Sequence, residues 1–160
     1  MKICGLTKTT LLDYPGKVAA TIFFGGCNFC CPFCHNGDLV LHSGEMEGYE
    51  EDEIIAFLKK RKNVLEGVCV TGGEPTLYKE LPKFIEKIKS LGYFVKLDTN
   101  GSNPKMVSEL IEQKSIDYVA MDIKAPLYKY DKASGTIVDK EKVEECVKLL
   151  LQGKVEYEFR

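Results

Sequence analysis

Lys17-Val-Ala-Ala-Thr-Ile-Phe-Phe-Gly-Gly-Cys-Asn-Phe-Cys-Cys-Pro-Phe-Cys-His-Asn36 decides how the rest of the chain is read. Its first half, residues 17–24, is β-branched and aromatic, and reads as a buried strand. Gly25-Gly26 ends that strand. Four cysteines then fall within residues 27–34, so a thiol-rich loop is predicted at the carboxyl end of a strand.

The same grammar repeats downstream. Residues 50–62 carry Ile54, Ile55, Phe57 and Leu58 at helical spacing, with acids early and lysines late, as the helix dipole favours. Val68–Thr71 reads as a second strand, closed by Gly72-Gly73-Glu74-Pro75. A second helix is expected over 79–91, carrying Leu81, Phe84, Ile85 and Ile88 and stopped by Gly92. Residues 93–97 form a third strand, running into Asp98-Thr99-Asn100-Gly101. A third helix spans 104–113, with Pro104 suited to a first turn. Residues 118–121 are a fourth strand, running into Asp122-Ile123-Lys124. A fourth helix over 139–152 is closed by Gly153, and a fifth strand follows at 155–159.

Strand and helix alternate four times before a last strand. That order predicts an α/β fold with parallel strands and helices on the outer face. Chemistry in such sheets collects at the carboxyl ends of the strands. The first four strands all end in polar or glycine-rich residues, which would share one rim. Residues 1–160 are read as one domain without an internal linker or repeat.

Bulk composition narrows the function. The 22 basic and 24 acidic residues nearly balance, with no basic stripe, so a nucleic-acid partner is not expected. No apolar run reaches the roughly 18 residues of a membrane span, and Met1-Lys2-Ile3-Cys4-Gly5 does not read as a signal peptide. Seven cysteines, odd in number and clustered, fit a metal or redox role in a reducing cytoplasm better than a disulfide scaffold.

The thiols can be grouped in two ways. Cys27/Cys30 with Cys31/Cys34 would make two C-x-x-C pairs, for zinc or thiol redox chemistry. Adjacent Cys30 and Cys31, however, point to opposite faces in extended backbone. The second grouping, Cys27, Cys31 and Cys34, is a C-x3-C-x2-C triad that can bind three irons of a cubane cluster and leave the fourth open. The pattern favours the triad, with Cys30 as a bystander. Cys69 and Cys146 read as packing thiols. If the triad holds a cluster, His35, which follows its last thiol, is placed to donate beside it.

The segments Cys27–Asn36, Thr71–Pro75, Lys96–Gly101 and Ala120–Lys124 resemble those of radical S-adenosylmethionine enzymes, in particular the activating enzymes of glycyl radical enzymes. Leu11-Leu-Asp-Tyr-Pro-Gly-Lys17 is similar to the subgroup that activates anaerobic ribonucleoside-triphosphate reductase. The resemblance covers nearly the whole chain. It implies a partial (β/α) barrel, shortened at its C-terminus relative to a (β/α)6 form. It also implies that Cys27, Cys31 and Cys34 hold a [4Fe-4S] cluster whose open iron takes the amino and carboxylate groups of S-adenosylmethionine. Phe33 would meet the adenine, and Gly72, Gly73 and Glu74 the methionine ammonium. Asp98, Thr99 and Asp122 would bind a monovalent cation, and Lys124 the methionine carboxylate. Asn100 is either a cofactor contact or a turn residue. Taken singly and without the resemblance, Asp98 and Asp122 are better explained as helix caps or partners of lysines, and Gly-Gly-Glu-Pro could be just a strand-to-helix turn.

The implied activity is reductive cleavage of S-adenosylmethionine and installation of a glycyl radical on a partner, anaerobic ribonucleotide reductase. Reduced flavodoxin or a ferredoxin-type protein would be the electron donor. The alternatives are a radical enzyme acting on a small molecule, such as a 7-carboxy-7-deazaguanine synthase, and a zinc or iron–sulfur module without catalysis. Cys30 is a departure from the resemblance, since relatives commonly carry a basic or polar residue there.

Overall fold

The computed structural model describes residues 1–160. Its centre is a six-stranded sheet in the order β1-β2-β3-β4-β5-β6. The strands are β1 (Ile3–Thr10), β2 (Ala19–Phe24), β3 (Gly67–Gly72), β4 (Phe94–Thr99), β5 (Tyr118–Met121) and β6 (Glu156–Phe159). From β2 to β6 every neighbouring pair is parallel. The expected α/β architecture of parallel strands and covering helices is therefore present.

β1 is the addition that the sequence pattern did not show. It pairs antiparallel to β2, with register shifts between Ile3 and Gly5 and between Thr7 and Thr10. Its outer half, Thr7 to Thr9, is exposed. An irregular edge strand that faces water on both sides there carries no clean alternation to read.

The strands alternate strictly between two faces. Ala20, Ile22 and Phe24 of β2, Val68 and Val70 of β3, Val95 and Leu97 of β4, and Val119 and Met121 of β5 belong to one continuous apolar core. Helices cover that face: α2 (Glu51–Lys60), α3 (Leu81–Ser90), α4 (Pro104–Glu112) and α6 (Lys140–Leu150). Each contributes a buried stripe, such as Leu81, Phe84, Ile85 and Ile88 of α3. Burying each such side chain contributes roughly 1.5–3 kcal/mol before chain entropy is set against it. The opposite face carries Thr21, Cys69, Thr71, Lys96 and Asp98, polar or small groups unsuited to an apolar core.

Two five-residue helices, α1 (Gly37–Leu41) and α5 (Tyr130–Ser134), are too short to show a period in sequence. The longer helices start and stop within about two residues of the expected positions. Pro104 sits in the first turn of α4, where Asn103 caps by accepting from the Met106 N–H at 3.3 Å. α2 opens on a reciprocal capping box between Glu50 and Glu53.

Candidate active site

Because β2 to β5 are parallel, their carboxyl ends lie on one rim. A cavity of about 610 Å3 opens there, within the size range of small-ligand sites. The cysteine loop forms one wall. Cys27, Cys31 and Cys34 all line the cavity, whereas Cys30 does not.

The backbone accounts for that division. The Cys30 N–H donates to the Ser134 carbonyl at 2.8 Å, which ties this residue to the far side of the loop and leaves its thiol exposed. Gly135, at φ +67°, lies against the Cys30 carbonyl, and a Cβ there would strike it. The Cys34 N–H donates to the Cys31 carbonyl at 3.0 Å, and this turn brings the last thiol back to the cavity. Two asparagines fasten the loop to neighbouring strand ends. Asn36 Nδ2 donates to the Gly72 carbonyl at 3.0 Å, and Asn28 Oδ1 accepts from Asn100 Nδ2 at 2.9 Å. In the sequence these asparagines are only polar turn residues, so their stapling role was not visible there.

The Cys27 sulfur accepts from the Phe29 N–H at 3.3 Å and lies 3.8 Å from Asn100 Nδ2. Burial pushes its thiol up to about 11, outweighing that backbone hydrogen bond. Without bound metal Cys27 is therefore a protonated thiol, and cationic irons would supply the charge that holds it as thiolate. No three His, Cys, Asp or Glu side chains converge closely enough to hold a single metal ion. The three loop thiols instead border a roomy cavity. Three thiols on one short loop, facing one cavity, are the donor type and number that a cubane cluster with one open iron takes. The donor set fits the iron–sulfur group.

Gly72 and Gly73, at the end of β3, form part of the floor. Gly73 passes so close to the loop that a Cβ would collide with the Gly26 carbonyl. Here glycine is needed for close approach of two backbones. Glu74 follows, but its side chain turns inward and is fully buried. Its carboxylate accepts from Thr76 N–H at 3.1 Å, from the Thr76 hydroxyl, from the Thr99 hydroxyl at 2.8 Å and from Asn100 N–H at 2.7 Å. It ties the turn after β3 to the end of β4. Burial raises the Glu74 carboxyl, against the lowering effect of these donors. The carboxylate is thus engaged within the fold, and only the backbone of this segment faces the cavity.

Thr99 and Asn100 border the cavity at the end of β4, and Lys124 after β5. Phe33 stands at the mouth, more than half exposed. Asp98 and Asp122 also reach the cavity, already paired. Asp98 holds the buried Lys96 and, at 3.2 Å, Arg160 Nη2. Asp122 holds Lys124 Nζ at 2.8 Å and Arg160 Nε at 3.1 Å. The lysine-partner alternative describes both acids. Burial alone would lower the Lys124 ammonium, but the Asp122 hydrogen bond and charge raise it on balance, so it is a firm cation. Arg160, the residue after β6, was not singled out from sequence.

Comparison with known proteins adds a family. The sequence pattern of the Radical SAM superfamily matches residues 21–157. A Methanocaldococcus jannaschii protein, provisionally named as a glycyl-radical enzyme activating enzyme, is 41% identical over 130 residues, 80% of this chain and 52% of that protein. The 7-carboxy-7-deazaguanine synthase of Aquifex aeolicus is 31% identical over 154 residues, covering 88% of this chain and 68% of the relative. Among solved structures, anSMEcpe with bound AdoMet superposes with a TM-score of 0.64 at 24% identity, over 85% of this chain and 41% of that one. Streptococcus suis SuiB bound to its precursor peptide SuiA gives 0.66 at 18% identity, over 85% and 30%. These structural likenesses speak to the fold. The chain spans about half the length of the first curated relatives it matches.

Proposed function

Since the chain belongs to the radical SAM superfamily, we propose that Cys27, Cys31 and Cys34 hold a [4Fe-4S] cluster and that the adjoining cavity takes S-adenosylmethionine. The observation that carries this reading is the division of the loop: three thiols border the cavity and the fourth is tied away from it. When bound, the reduced cluster would supply one electron to S-adenosylmethionine, and the chemistry it would support is cleavage of a carbon–sulfur bond into methionine and a 5′-deoxyadenosyl radical.

The protein's own groups bind and orient. The Asn100 amide and the Phe29 N–H, next to the Cys27 sulfur, favour its thiolate form. The backbone at Gly72-Gly73, which lines the cavity, would face the methionine ammonium, with the Gly73 carbonyl as acceptor, because the Glu74 carboxylate is occupied elsewhere. Lys124, a protonated ammonium at the rim, pairs with the methionine carboxylate. Phe33 covers the mouth beside the adenine. Asp98, Thr99 and Asp122 remain the residues that the family resemblance connects with a monovalent cation.

The reaction we propose is hydrogen abstraction from a glycine Cα of a partner enzyme, anaerobic ribonucleotide reductase. Flavodoxin or a ferredoxin-type protein supplies the electron, in the cytoplasm. The naming of the 41%-identical relative supports a glycyl radical enzyme as the partner; the choice of reductase and of electron donor rests on the sequence resemblance alone. No helix of this chain is long and apolar enough to cross a membrane. The test mixes anaerobic, reduced, cluster-loaded protein with S-adenosylmethionine and the reductase, and looks for a glycyl doublet by electron paramagnetic resonance. Appearance of the doublet is expected. A second reading, synthesis of 7-carboxy-7-deazaguanine, is favoured by the high coverage of the Aquifex relative. Formation of that product without a doublet would decide for it.

A further inference from the structure

Arg160 is placed by backbone, not by chance contact. Its N–H donates to the Met121 carbonyl at 3.0 Å, and its carbonyl accepts from the Ile123 N–H at 2.8 Å. It thus extends the β5–β6 ladder by one residue onto the rim. From there the guanidinium spans two strand ends, with Nη2 on Asp98 Oδ2 and Nε on Asp122 Oδ1. The other oxygens of the two acids are also engaged. Lys96 Nζ and the Cys69 thiol take Asp98 Oδ1, and Lys124 Nζ takes Asp122 Oδ2. The Thr71 hydroxyl also donates to Asp98 Oδ2, at 3.2 Å. The Thr99 hydroxyl is committed to Glu74. Every carboxylate oxygen has at least one donor, and three cations, Lys96, Lys124 and Arg160, already face the two carboxylates, so a further monovalent cation would add to a positive excess and does not fit this arrangement.

We propose that Arg160 is the built-in cation of this rim. It stands between Asp98 and Asp122 in place of a metal ion, and with Lys124 it presents fixed positive charge to the carboxylate of an amino-acid-type ligand. A guanidinium suits that position because it stays charged at any working pH. Its planar fork also offers five N–H donors, more than the two acids consume. An arginine cannot exchange with the medium as an alkali ion can. Ligand binding should therefore be indifferent to which alkali ion the buffer contains. This inference rests on the reading of the cavity as the S-adenosylmethionine site.

The test measures the dissociation constant of S-adenosylmethionine on cluster-loaded protein, anaerobically, in potassium, sodium or tetramethylammonium buffers of equal ionic strength. The native chain should bind equally in all three. Arg160→Gln vacates the position between the acids. Its affinity should fall about tenfold in tetramethylammonium, the size of one charge-assisted hydrogen bond, and recover in potassium or sodium. Arg160→Lys keeps a fixed charge and should remain indifferent to the ion. Native protein that binds only with an alkali ion overturns the proposal while leaving the cavity's assignment intact. Native protein that binds in none of the buffers defeats that assignment itself. Arg160→Gln that binds like the native chain without alkali ions also overturns the proposal. So does a loss in Arg160→Gln that neither alkali ions nor Arg160→Lys recover.

Discussion

The Asn100 backbone N–H donates to Glu74 Oε2 at 2.7 Å, so the end of β4 is bolted to the turn that follows β3. Glu74 is fully buried, and all its partners are donors. Glu74→Gln keeps the shape but puts an NH2 where an acceptor is needed; in either orientation it faces a backbone N–H, of Thr76 or of Asn100, that cannot reverse as the two threonine hydroxyls can. One unsatisfied buried pair costs about 1–3 kcal/mol, or roughly 2–12 °C in melting temperature for a chain of this size. Calorimetry on cluster-free protein should show a fall in that range. A melting temperature unchanged from wild type would mean that the carboxylate is not the bolt described.

Why the carboxylate points inward could not be read from Gly-Gly-Glu-Pro. The motif marks a strand end, but side-chain direction after a glycine pair depends on the neighbouring strand, and here on Thr99 and Asn100, some 25 residues away. The rim itself was legible, because each apolar run breaks abruptly into polar residues and the strand–helix alternation puts those breaks on one side. β1 was not legible, since its exposed Thr-Lys-Thr stretch has no periodicity. The role of Arg160 was hidden for a different reason. In Glu-Tyr-Glu-Phe-Arg it is one more charge on an alternating strand, and only the parallel pairing of β6 with β5 sets it between Asp98 and Asp122.

The division of the cysteine loop predicts a pattern of chemical modification. Cys30 and Cys34 are exposed, while Cys69 and Cys146 are buried. Burial raises both buried thiols, Cys146 to about 12. Iodoacetamide at pH 8 should therefore label Cys30 and Cys34 first in cluster-free protein, and Cys69 and Cys146 last. In cluster-loaded protein Cys34 should become protected while Cys30 stays reactive, as read by peptide mass spectrometry. Cys30→Ala should keep iron and sulfide content near wild type, and Cys31→Ala should lose it. Equal loss in both variants would return the loop to the paired C-x-x-C grouping.

Gly73→Ala tests the close approach of β3 to the loop. The added Cβ meets the Gly26 backbone carbonyl, which cannot swing away as a side-chain end could. The loop must shift outward, carrying Cys27 with it and straining the Glu74 N–H bond to the Gly26 carbonyl, 2.9 Å in the native chain. The expected result is a folded protein with the secondary structure retained, a melting temperature lowered by several degrees, and poor iron incorporation. A substitution at Gly153, where no atom lies within contact range of a Cβ, controls for the methyl group as such, although its φ of +68° carries its own backbone cost. Gly73→Ala that takes up iron as the native chain does would show that the two backbones have room to spare.

Acid should loosen the cysteine loop through Asp131. This carboxylate accepts from Lys140 Nζ at 2.6 Å and from the Val138 N–H at 3.0 Å. The Lys140 hydrogen bond, then that of Val138, hold its carboxyl below the usual aspartate value. The ionised form is therefore favoured more in the folded chain than in the unfolded one. Its stabilising effect is complete above the usual aspartate range and disappears as pH falls through the lower folded value. The segment held this way includes Ser134, whose carbonyl receives the Cys30 N–H. Asp131→Asn should thus have a lower urea midpoint than wild type at pH 7, by a small margin because the pair is exposed. The gap should close as pH drops below the range where aspartates titrate. Hydrogen exchange at the Cys30 amide should quicken in the variant at pH 7. A midpoint difference that persists unchanged in acid would assign the effect to packing rather than to the charge on Asp131.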